Sequence, residues 1–442
     1  MREGSLEPPV RHPLQWQDPD FYDMAKIEAE MHRVFEICHG CRRCFNLCDS
    51  FPRLFDLVDA QPDEMAGVDP KDYKQVVNAC TLCDLCFMTK CPYVPPHEWA
   101  LDFPHLMLRY RAAELKLQRE DRYAKELTET DRNGKLGALA APIINAASVF
   151  PPTRALMEQT VGIDREARLP KFHGRTLVLR AMEEKPEINA QAPAFGRKAV
   201  LYATCFCNYN NPEIGMAARA VLAHLGVETE VVYPRCCGMP QLERGDVARV
   251  AEHAQTVSEA LLPYVEQGYD IIGLVPSCAL MLKFEWPLIL PQDAKVKTLA
   301  EATYDISEYV VDIARREGLA PGLAALPGGV AVHIACHARA QNMGQKAAEM
   351  LKLIPDADLA VIERCSGHGG SWGVMKENFA TALKVGRPVA RQAISSGKTF
   401  IASECPLAAE HIVQGMERLD AEKAPEHSWH PIQLFARAYG LD

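Results

Sequence analysis

The feature that most constrains this chain is the placement of its 16 cysteines along 442 residues. Eight lie in residues 38–91, none lies in residues 92–204, and eight more are spread over residues 205–405. Residues 1–9 have no apolar core behind a positive start, so no signal peptide is predicted. We therefore expect a reducing, cytoplasmic compartment, in which structural disulfides are rare and grouped thiols indicate metal or redox chemistry.

The N-terminal cysteines form two similar runs. The first is C-x2-C-x2-C-x3-C over residues 38–48, and the second is C-x2-C-x2-C-x4-C-P over residues 80–92. Three cysteines at two-residue intervals wrap the backbone round one face of an iron–sulfur cube, and the fourth ligates the other cube. The spacing therefore predicts two [4Fe–4S] clusters with crossed ligands. The first set is Cys38, Cys41, Cys44 and Cys91, and the second is Cys80, Cys83, Cys86 and Cys48.

Zinc is the alternative for these cysteines. Zinc sites use two C-x2-C pairs and leave no role for the middle cysteine of a triplet, so the pattern favours iron–sulfur. Two features depart from the bacterial ferredoxin pattern: Asp49 replaces a proline, and four residues rather than three precede Cys91. Neither removes a ligand. The basic residues Arg42, Arg43 and Lys90 lie near enough in sequence to moderate the negative charge of the thiolates.

The C-terminal cysteines indicate an internal duplication. Three landmarks recur at a displacement of about 130 residues, which is the signature of a repeat. They are Cys205, the Cys236-Cys237-Gly238 turn and Cys278 in the first copy, and Cys336, the Cys365-Ser366-Gly367 turn and Cys405 in the second. Cys207 has no partner in the repeat and is expected to be structural.

Each copy reads as strands alternating with helices, which predicts parallel sheets. The expected strands include residues 228–233, 270–275, 359–363 and 399–402, and the expected helices include 106–119 and 214–225. Open parallel sheets place their sites at the carboxyl ends of the strands, so the repeat cysteines are expected there. The stretch 367–373 is rich in glycine, but Trp372 occupies the third glycine position of a dinucleotide loop.

The fold class expected overall is α+β. It combines a helical ferredoxin-like module with two clusters, a helical middle, and duplicated α/β repeats with parallel strands. The expected boundaries are 1–30 for an N-terminal extension, 31–110 for the module, 111–197 for a helical linker, and 198–325 and 326–442 for the two repeats.

Residues 136–150 form the longest apolar stretch of the chain. They are too few for a membrane span, which needs about 20 residues. A buried helix pair is the expected structure, and a segment that lies at an interface or docks on a partner is the alternative. The formal charge of −10 provides no basic excess to displace counterions, so nucleic-acid binding is not expected.

Taken together, these motifs resemble a family of iron–sulfur subunits with tandem cysteine-rich CCG repeats. Its members include one subunit (C) of anaerobic glycerol-3-phosphate dehydrogenase, the iron–sulfur subunit of glycolate oxidase and one subunit (D) of heterodisulfide reductase. The phrases that carry the resemblance are Cys-Phe-Cys-Asn-Tyr-Asn-Asn-Pro at 205–212, Cys-Cys-Gly-Met-Pro at 236–240, Pro-Ser-Cys-Ala-Leu-Met-Leu at 276–282 and Cys-His-Ala-Arg at 336–339. The resemblance covers residues 31–436.

The resemblance implies metal ligands in the repeats, although this chain departs from the full pattern. Met281 and Ala408 stand where a second C-x2-C pair would end, and Ser366 replaces the second adjacent cysteine. The remaining ligand sets are Cys205, Cys236, Cys237 and Cys278 in the first repeat, and Cys336, Cys365 and Cys405 in the second. His368 and His337 lie beside the second set and are tentative ligands, because histidine can replace cysteine at iron–sulfur centres.

The resemblance implies an electron-transfer subunit. It would take electrons from a flavoprotein dehydrogenase or similar donor and pass them to a quinone or another acceptor, with peripheral membrane contact as an option. The sequence has no Walker motif, no dinucleotide glycine pattern and no nucleophile elbow, so a flavin would come from a partner. The alternatives are a catalytic subunit that reduces a disulfide at the CCG site, and a non-enzymatic redox sensor.

Overall fold

The computed structural model describes residues 8–117 and 122–441. Helices make up 56% of the chain, and two small parallel sheets lie in the C-terminal half. The expected α+β class with parallel-strand repeats is therefore confirmed. Residues 1–7, on which much of the signal-peptide prediction depends, lie outside the described residues.

Four helices form the N-terminal module. They are α1 (Met24–Cys41), α2 (Ser50–Asp59), α3 (Tyr73–Ala79) and α4 (Phe103–Lys116). The buried rings of Phe35 and Phe51 both pack against Phe103, with the Phe51 and Phe103 ring centroids 4.8 Å apart. The helix expected over 106–119 corresponds to α4, which begins earlier because Asp102 caps its first turn by accepting the His105 N–H.

Five helices follow in the middle of the chain. They are α5 (Arg122–Thr128), α6 (Thr130–Leu139), α7 (Ala141–Val149), α8 (Pro151–Thr160) and α9 (Leu177–Glu183). Nowhere in residues 8–117 and 122–441 is a helix both long enough and apolar enough to cross a membrane.

The helix pair expected at residues 136–150 is present as α6 and α7, but the prediction that it is buried is wrong. Leu139 is 86% exposed, Ile143 is 74% exposed and Val149 is 71% exposed. The reason is that the side of α6 that packs against the rest of the protein carries glycine. A Cβ atom on Gly134 would lie 2.2 Å from a ring atom of Tyr209, so this side of α6 has no room for larger side chains.

The first parallel sheet contains four strands in the order β2-β1-β3-β4. They are β1 (Lys198–Tyr202), β2 (Glu228–Val232), β3 (Asp270–Gly273) and β4 (Thr303–Asp305). The helices of this part are α10 (Cys205–Tyr209), α11 (Pro212–His224), α12 (Met239–Arg244), α13 (Val247–Glu266), α14 (Pro276–Leu280), α15 (Trp286–Ile289), α16 (Ala294–Glu301) and α17 (Ile306–Arg316). The helix expected over 214–225 corresponds to α11.

The second parallel sheet contains three strands in the order β6-β5-β7. They are β5 (Val330–His333), β6 (Leu359–Ile362) and β7 (Phe400–Ser403). The accompanying helices are α18 (Cys336–Ala340), α19 (Lys346–Leu351), α20 (Phe379–Ser396), α21 (Pro406–Leu419) and α22 (Pro431–Ala438).

The two sheets share one connectivity, with the first strand in a central position between the second and the third. Strand β4 was not expected from the sequence. Its counterpart in the second sheet is a single residue, Trp429, which forms a parallel bridge with Ala402 of β7. A helix follows in both cases, α17 after β4 and α22 after Trp429. The duplication thus extends beyond the cysteine landmarks.

Candidate functional site

The first N-terminal cysteine set assembles round the end of α1. Cys38 and Cys41 lie in its last turn, and the chain then turns through Arg42, whose φ is 52°. Burial raises the pKa of the Cys38 thiol well above its ordinary value, and the charges of Cys91, Cys44 and Cys41 raise it further. The structure therefore brings the four cysteines of the predicted first set together.

The second set assembles in the loop that follows α3. Cys80 follows the last residue of α3 as its C-cap. Cys83 lies between two residues with positive φ, Leu82 and Asp84. Burial raises the pKa of the Cys48 thiol, and the charges of Cys83 and Cys80 add to the shift. Cys48 thus lies with the second run rather than with its own, which is the arrangement that the crossed pattern predicts.

Basic side chains offset the negative charge of the thiolates in both N-terminal sets. Burial and neighbouring thiolates raise the pKa of Cys44 to about 12, whereas the charges of Lys90 and Arg43 lower it. Burial raises the pKa of Cys80, and the charge of the half-buried Arg111 lowers it. Arg42 does not play this part, because its guanidinium binds the Asp59 carboxylate.

In the first C-terminal copy, four cysteines meet at one end of the sheet. They are Cys205, Cys236, Cys237 and Cys278, each a few residues beyond β1, β2 or β3. The sulfurs of Cys205 and Cys236 lie 3.8 Å apart. Burial raises the pKa of Tyr202, and the charges of all four thiols raise it further, so all four lie near this residue. Cys207 is fully buried and its N–H donates to the Thr204 hydroxyl.

Residues from distant segments complete this site. The Asp131 carboxylate, at the start of α6, accepts the Cys236 N–H at 3.2 Å and the Tyr233 hydroxyl. The ring of His253 in α13 lies 2.9 Å from the Cys236 carbonyl oxygen through Nδ1. Trp286 donates its indole N–H to the Cys237 carbonyl at 3.0 Å. Both cysteines of the pair are therefore fixed by their backbone groups.

In the second copy, Cys336, Cys365 and Cys405 lie together beyond β5, β6 and β7. Burial raises the pKa of Cys336 well above its ordinary value, with contributions from the charges of Cys83, Cys365 and Cys405. Burial also raises the pKa of Cys405, to about 11. The three thiols therefore form one group, which also adjoins the second N-terminal set.

A matched turn follows the second strand of each sheet. Gly238 donates its N–H to the sulfur of Cys236 at 3.5 Å, and Gly367 donates to the sulfur of Cys365 at 3.4 Å. Their φ angles are 88° and 80°, a conformation that glycine adopts without steric cost. A Cβ atom on Gly367 would lie 2.0 Å from the Ala382 carbonyl oxygen. The two copies thus present their cysteine sulfur in the same way.

The two histidines beside the second copy have other contacts. His337 Nε2 donates to the Leu82 carbonyl at 3.3 Å, which ties α18 to the loop of the second N-terminal set. The His368 ring packs edge-on against His411, with centroids 5.9 Å apart. Burial lowers the pKa of His368 to about 3, so its ring is neutral at physiological pH.

The four cysteine sets form a continuous series. The charge of Cys44 in the first set contributes to raising the pKa of Cys86 in the second, and burial is the main cause. After burial, the charge of Cys365 is the largest cause of the raised pKa of Cys83. The charge of Cys278 likewise contributes to the raised pKa of Cys405. The order is first N-terminal set, second N-terminal set, second C-terminal copy, first C-terminal copy.

The donor sets fit iron–sulfur clusters. They consist of buried and half-buried thiols, and a bound metal would take the place of the thiol protons. Within the described ranges, no group of three or more His, Cys, Asp or Glu residues is close enough to hold one metal ion. A cubane takes one thiolate at each of four irons, so its ligands stand farther apart than those of a single zinc ion.

Comparison with known proteins identifies the C-terminal copies. The model of the cysteine-rich domain CCG matches residues 199–283 and 330–408. The chain therefore contains two CCG domains, as the resemblance in the sequence implied. The first four-cysteine group belongs to the first CCG domain, and the group of Cys336, Cys365 and Cys405 belongs to the second.

The chain is also homologous to curated proteins. It is 28% identical over 322 residues to one subunit (C) of anaerobic glycerol-3-phosphate dehydrogenase from Escherichia coli K12, across 71% of this chain and 76% of that protein. It is also 28% identical over 186 residues to lactate utilization protein A of Bacillus pumilus, across 40% of this chain and 75% of that protein.

Several residues at these sites carried no signal in the sequence. Asp131, His253 and Arg111 reach the cysteines from other helices, at sequence separations of 105, 17 and 31 residues. No motif spacing links a single Asp, His or Arg to these cysteines. The cysteine pattern located the sites, but only the packing of the helices identifies their neighbours.

Proposed function

We propose that this chain is an iron–sulfur electron-transfer subunit of an oxidoreductase complex. The observation that carries the proposal is the continuous series of four cysteine sets, which joins the N-terminal module to both CCG domains. Homology to one subunit of a dehydrogenase supports it. The donor is a flavoprotein dehydrogenase subunit or another redox protein, and the acceptor is a quinone or another redox centre.

The N-terminal module is proposed to hold two [4Fe–4S] clusters. The ligands are Cys38, Cys41, Cys44 and Cys91 for the first, and Cys80, Cys83, Cys86 and Cys48 for the second. Bound clusters of this type supply one-electron redox chemistry. The protein contributes the thiolates, shields them in part from water, and offsets their charge with Arg43, Lys90 and Arg111.

The CCG domains are proposed to hold a further iron–sulfur or metal centre. Its ligands would come from Cys205, Cys236, Cys237 and Cys278 in the first domain, and from Cys336, Cys365 and Cys405 in the second. His368 and His337 remain tentative ligands of the second domain. The contacts of His368 with His411, and of His337 with Leu82, favour structural roles for both histidines.

We also propose a cytoplasmic location with peripheral contact at the cytoplasmic face of a membrane or with a partner subunit. The support is the surface formed by α6 and α7, on which Leu139, Ile143 and Val149 are exposed. Apolar side chains that are clustered and exposed in this way are typical of interaction surfaces.

The experiment that tests the proposal is anaerobic purification followed by measurement of iron, acid-labile sulfide and zinc, with EPR of the reduced protein. Two [4Fe–4S] clusters alone would give about eight irons, and an occupied CCG centre would add to them. Cys207→Ser is the matched control, since this buried thiol lies outside the proposed sets, and it should retain the full iron content. Zinc without sulfide would refute the proposal.

A second measurement separates electron transfer from catalysis. The alternative function is reduction of a disulfide at the CCG site, as in heterodisulfide reductase. We expect clusters that an artificial donor reduces, no turnover of a disulfide by the isolated chain, and co-purification with a flavoprotein. Disulfide turnover that depends on Cys236 would favour the catalytic alternative instead.

A further inference from the structure

An N-terminal arm, residues 8–16, joins the ferredoxin-like module to the first CCG domain. The N–H of Val10 donates to the Pro95 carbonyl of the module at 3.0 Å. The N–H of Leu14 donates to the Leu288 carbonyl in α15 at 2.9 Å. The arm therefore makes backbone hydrogen bonds to both units and lies across the boundary between them.

Arg11 is the central contact of this arm. Its side chain is only 11% exposed and contacts three carboxylates. Its guanidinium donates to Asp84 at 2.8 Å, to Asp102 at 2.8 Å and 3.1 Å, and to Glu285 at 3.0 Å. Glu285 lies in the helical turn that leads into α15, whereas Asp84 and Asp102 belong to the module. One cation thus holds acidic groups from both units.

The contact with Asp84 places Arg11 against the loop of the second cysteine set. Asp84 lies between Cys83 and Cys86 and has a φ of 60°, a conformation that is unfavourable without support. The guanidinium also stacks over the ring of Phe87, 4.8 Å from its centroid. Arg11 therefore contacts the loop on both sides of Cys86.

The charge of Arg11 also acts on the thiolates. It is one of the groups that lower the pKa of Cys80, against the effect of burial. The only other basic side chain among the described contacts of these carboxylates is His105, which lies 3.2 Å from Glu285 and 3.3 Å from Asp102. Without Arg11, the carboxylates beside the loop would lack most of their compensation.

We propose that Arg11 is a positioning residue for the second N-terminal cluster, and that its charge raises the reduction potential of that cluster. The proposal rests on the proposed function, because it assumes a cluster on Cys80, Cys83, Cys86 and Cys48. Net charge near a cluster is one of the determinants of its potential. Uncompensated carboxylates disfavour the addition of an electron, so loss of Arg11 lowers the potential.

The test compares Arg11→Gln with Arg11→Lys in the full chain by EPR-monitored redox titration, together with iron analysis. Arg11→Gln should lower the midpoint potential of the second cluster and leave the first unchanged. Arg11→Lys keeps the positive charge, so its second cluster should have a midpoint potential close to that of the wild type. Arg33→Gln, which removes a half-exposed arginine paired with Glu30 on α1, is the matched control and should change neither potential.

A complementary variant covers the case in which Arg11→Gln fails to fold. Asp84→Asn removes one of the carboxylates and should raise the potential of the second cluster. Unchanged potentials in both Arg11→Gln and Asp84→Asn would overturn the role of Arg11 and leave the proposed function intact. A wild-type chain that contains no cluster on the second set would refute both.

Discussion

The backbone N–H of Cys236 donates to the carboxylate of Asp131 at 3.2 Å, across 105 residues of sequence. Asp131 also accepts the hydroxyl of Tyr233, in the same segment after β2. The first turn of α6 therefore covers the cysteine pair of the first CCG domain. The same helix carries Leu139 at its other end, on the exposed surface. One helix thus connects the outer surface of the protein with this site.

Asp131→Ala should destabilise the first CCG domain. It leaves the Cys236 N–H and the Tyr233 hydroxyl without an acceptor, and an unsatisfied buried donor costs about 1–3 kcal/mol. We expect a decrease of this size in the free energy of unfolding, measured by denaturant titration under anaerobic conditions. Glu98→Ala removes an exposed carboxylate and is the control. Equal midpoints for Asp131→Ala and wild type would contradict the prediction.

Cys91→Ser and Cys48→Ser should each alter the cluster of the other run. Since Cys91 lies with Cys38, Cys41 and Cys44, Cys91→Ser should change the EPR signal of the first cluster alone. Cys48 lies with Cys80 and Cys83, so Cys48→Ser should change the second. The signals are assigned by combining each variant with Arg11→Gln. If Cys48→Ser and Cys38→Ser affected the same signal, the ligands would not be crossed.

Acidification below pH 6.5 should destabilise the C-terminal part of the chain through two buried histidines. Burial lowers the pKa of His333 to about 4 and that of His430 to about 3. Between those values and the unfolded value of about 6.5, the unfolded chain binds more protons, so stability decreases as pH falls. Between pH 6.5 and pH 5 each histidine should lower the free energy of unfolding by about 2 kcal/mol.

The measurement is the denaturant midpoint of the protein as a function of pH. His430 accepts the Ile432 N–H at the start of α22, a contact that asparagine can replace, so His430→Asn removes the titration and retains the cap. Its stability should decrease less steeply with acid than that of the wild type. His427→Asn, at an exposed position, should keep the wild-type slope. Identical slopes for all three proteins would exclude His430 as a cause.

Leu139→Ser and Ile143→Ser should leave the isolated chain as stable as the wild type. Both side chains are largely exposed, and substitutions at such positions usually change stability by less than about 0.5 kcal/mol. If the surface binds a partner, the double variant should lose co-purification with it while iron content stays constant. Leu177→Ser, at a fully buried position of α9, is the contrasting variant and should destabilise the protein. A large loss of stability in the double variant would mean that this surface is packed.

The cysteine spacing predicted which cysteines lie together, because ligand spacing is local information. The turns at Gly238 and Gly367 and the parallel strands beside them follow from short segments that repeat. The burial of α6 and α7 was predicted wrongly, because apolar composition does not reveal which side of a helix meets the core. Gly134 decides that question through its contact with Tyr209, and glycine looks like a weak helix residue in a sequence.

The neighbours of the cysteines were beyond prediction for a different reason. Arg11 and Asp131 act on their sites through contacts that cross from one part of the chain to another, and His253 acts through a contact between α13 and the turn after β2. A single arginine in a proline-rich segment has no periodicity and no partner spacing. Such residues are recognised only when the docking of the domains is known, which depends on the whole packed surface.

The CCG cysteines lie beyond the strands rather than within them. A change of ligand is therefore separate from a change in the sheet. A ligand can be gained or lost by a single codon without altering the residues that build the sheet. Met281, Ala408 and Ser366 occupy such positions here, and both sheets retain the same connectivity. A duplicated scaffold of this kind allows each half to change its metal ligands without a change in its sheet.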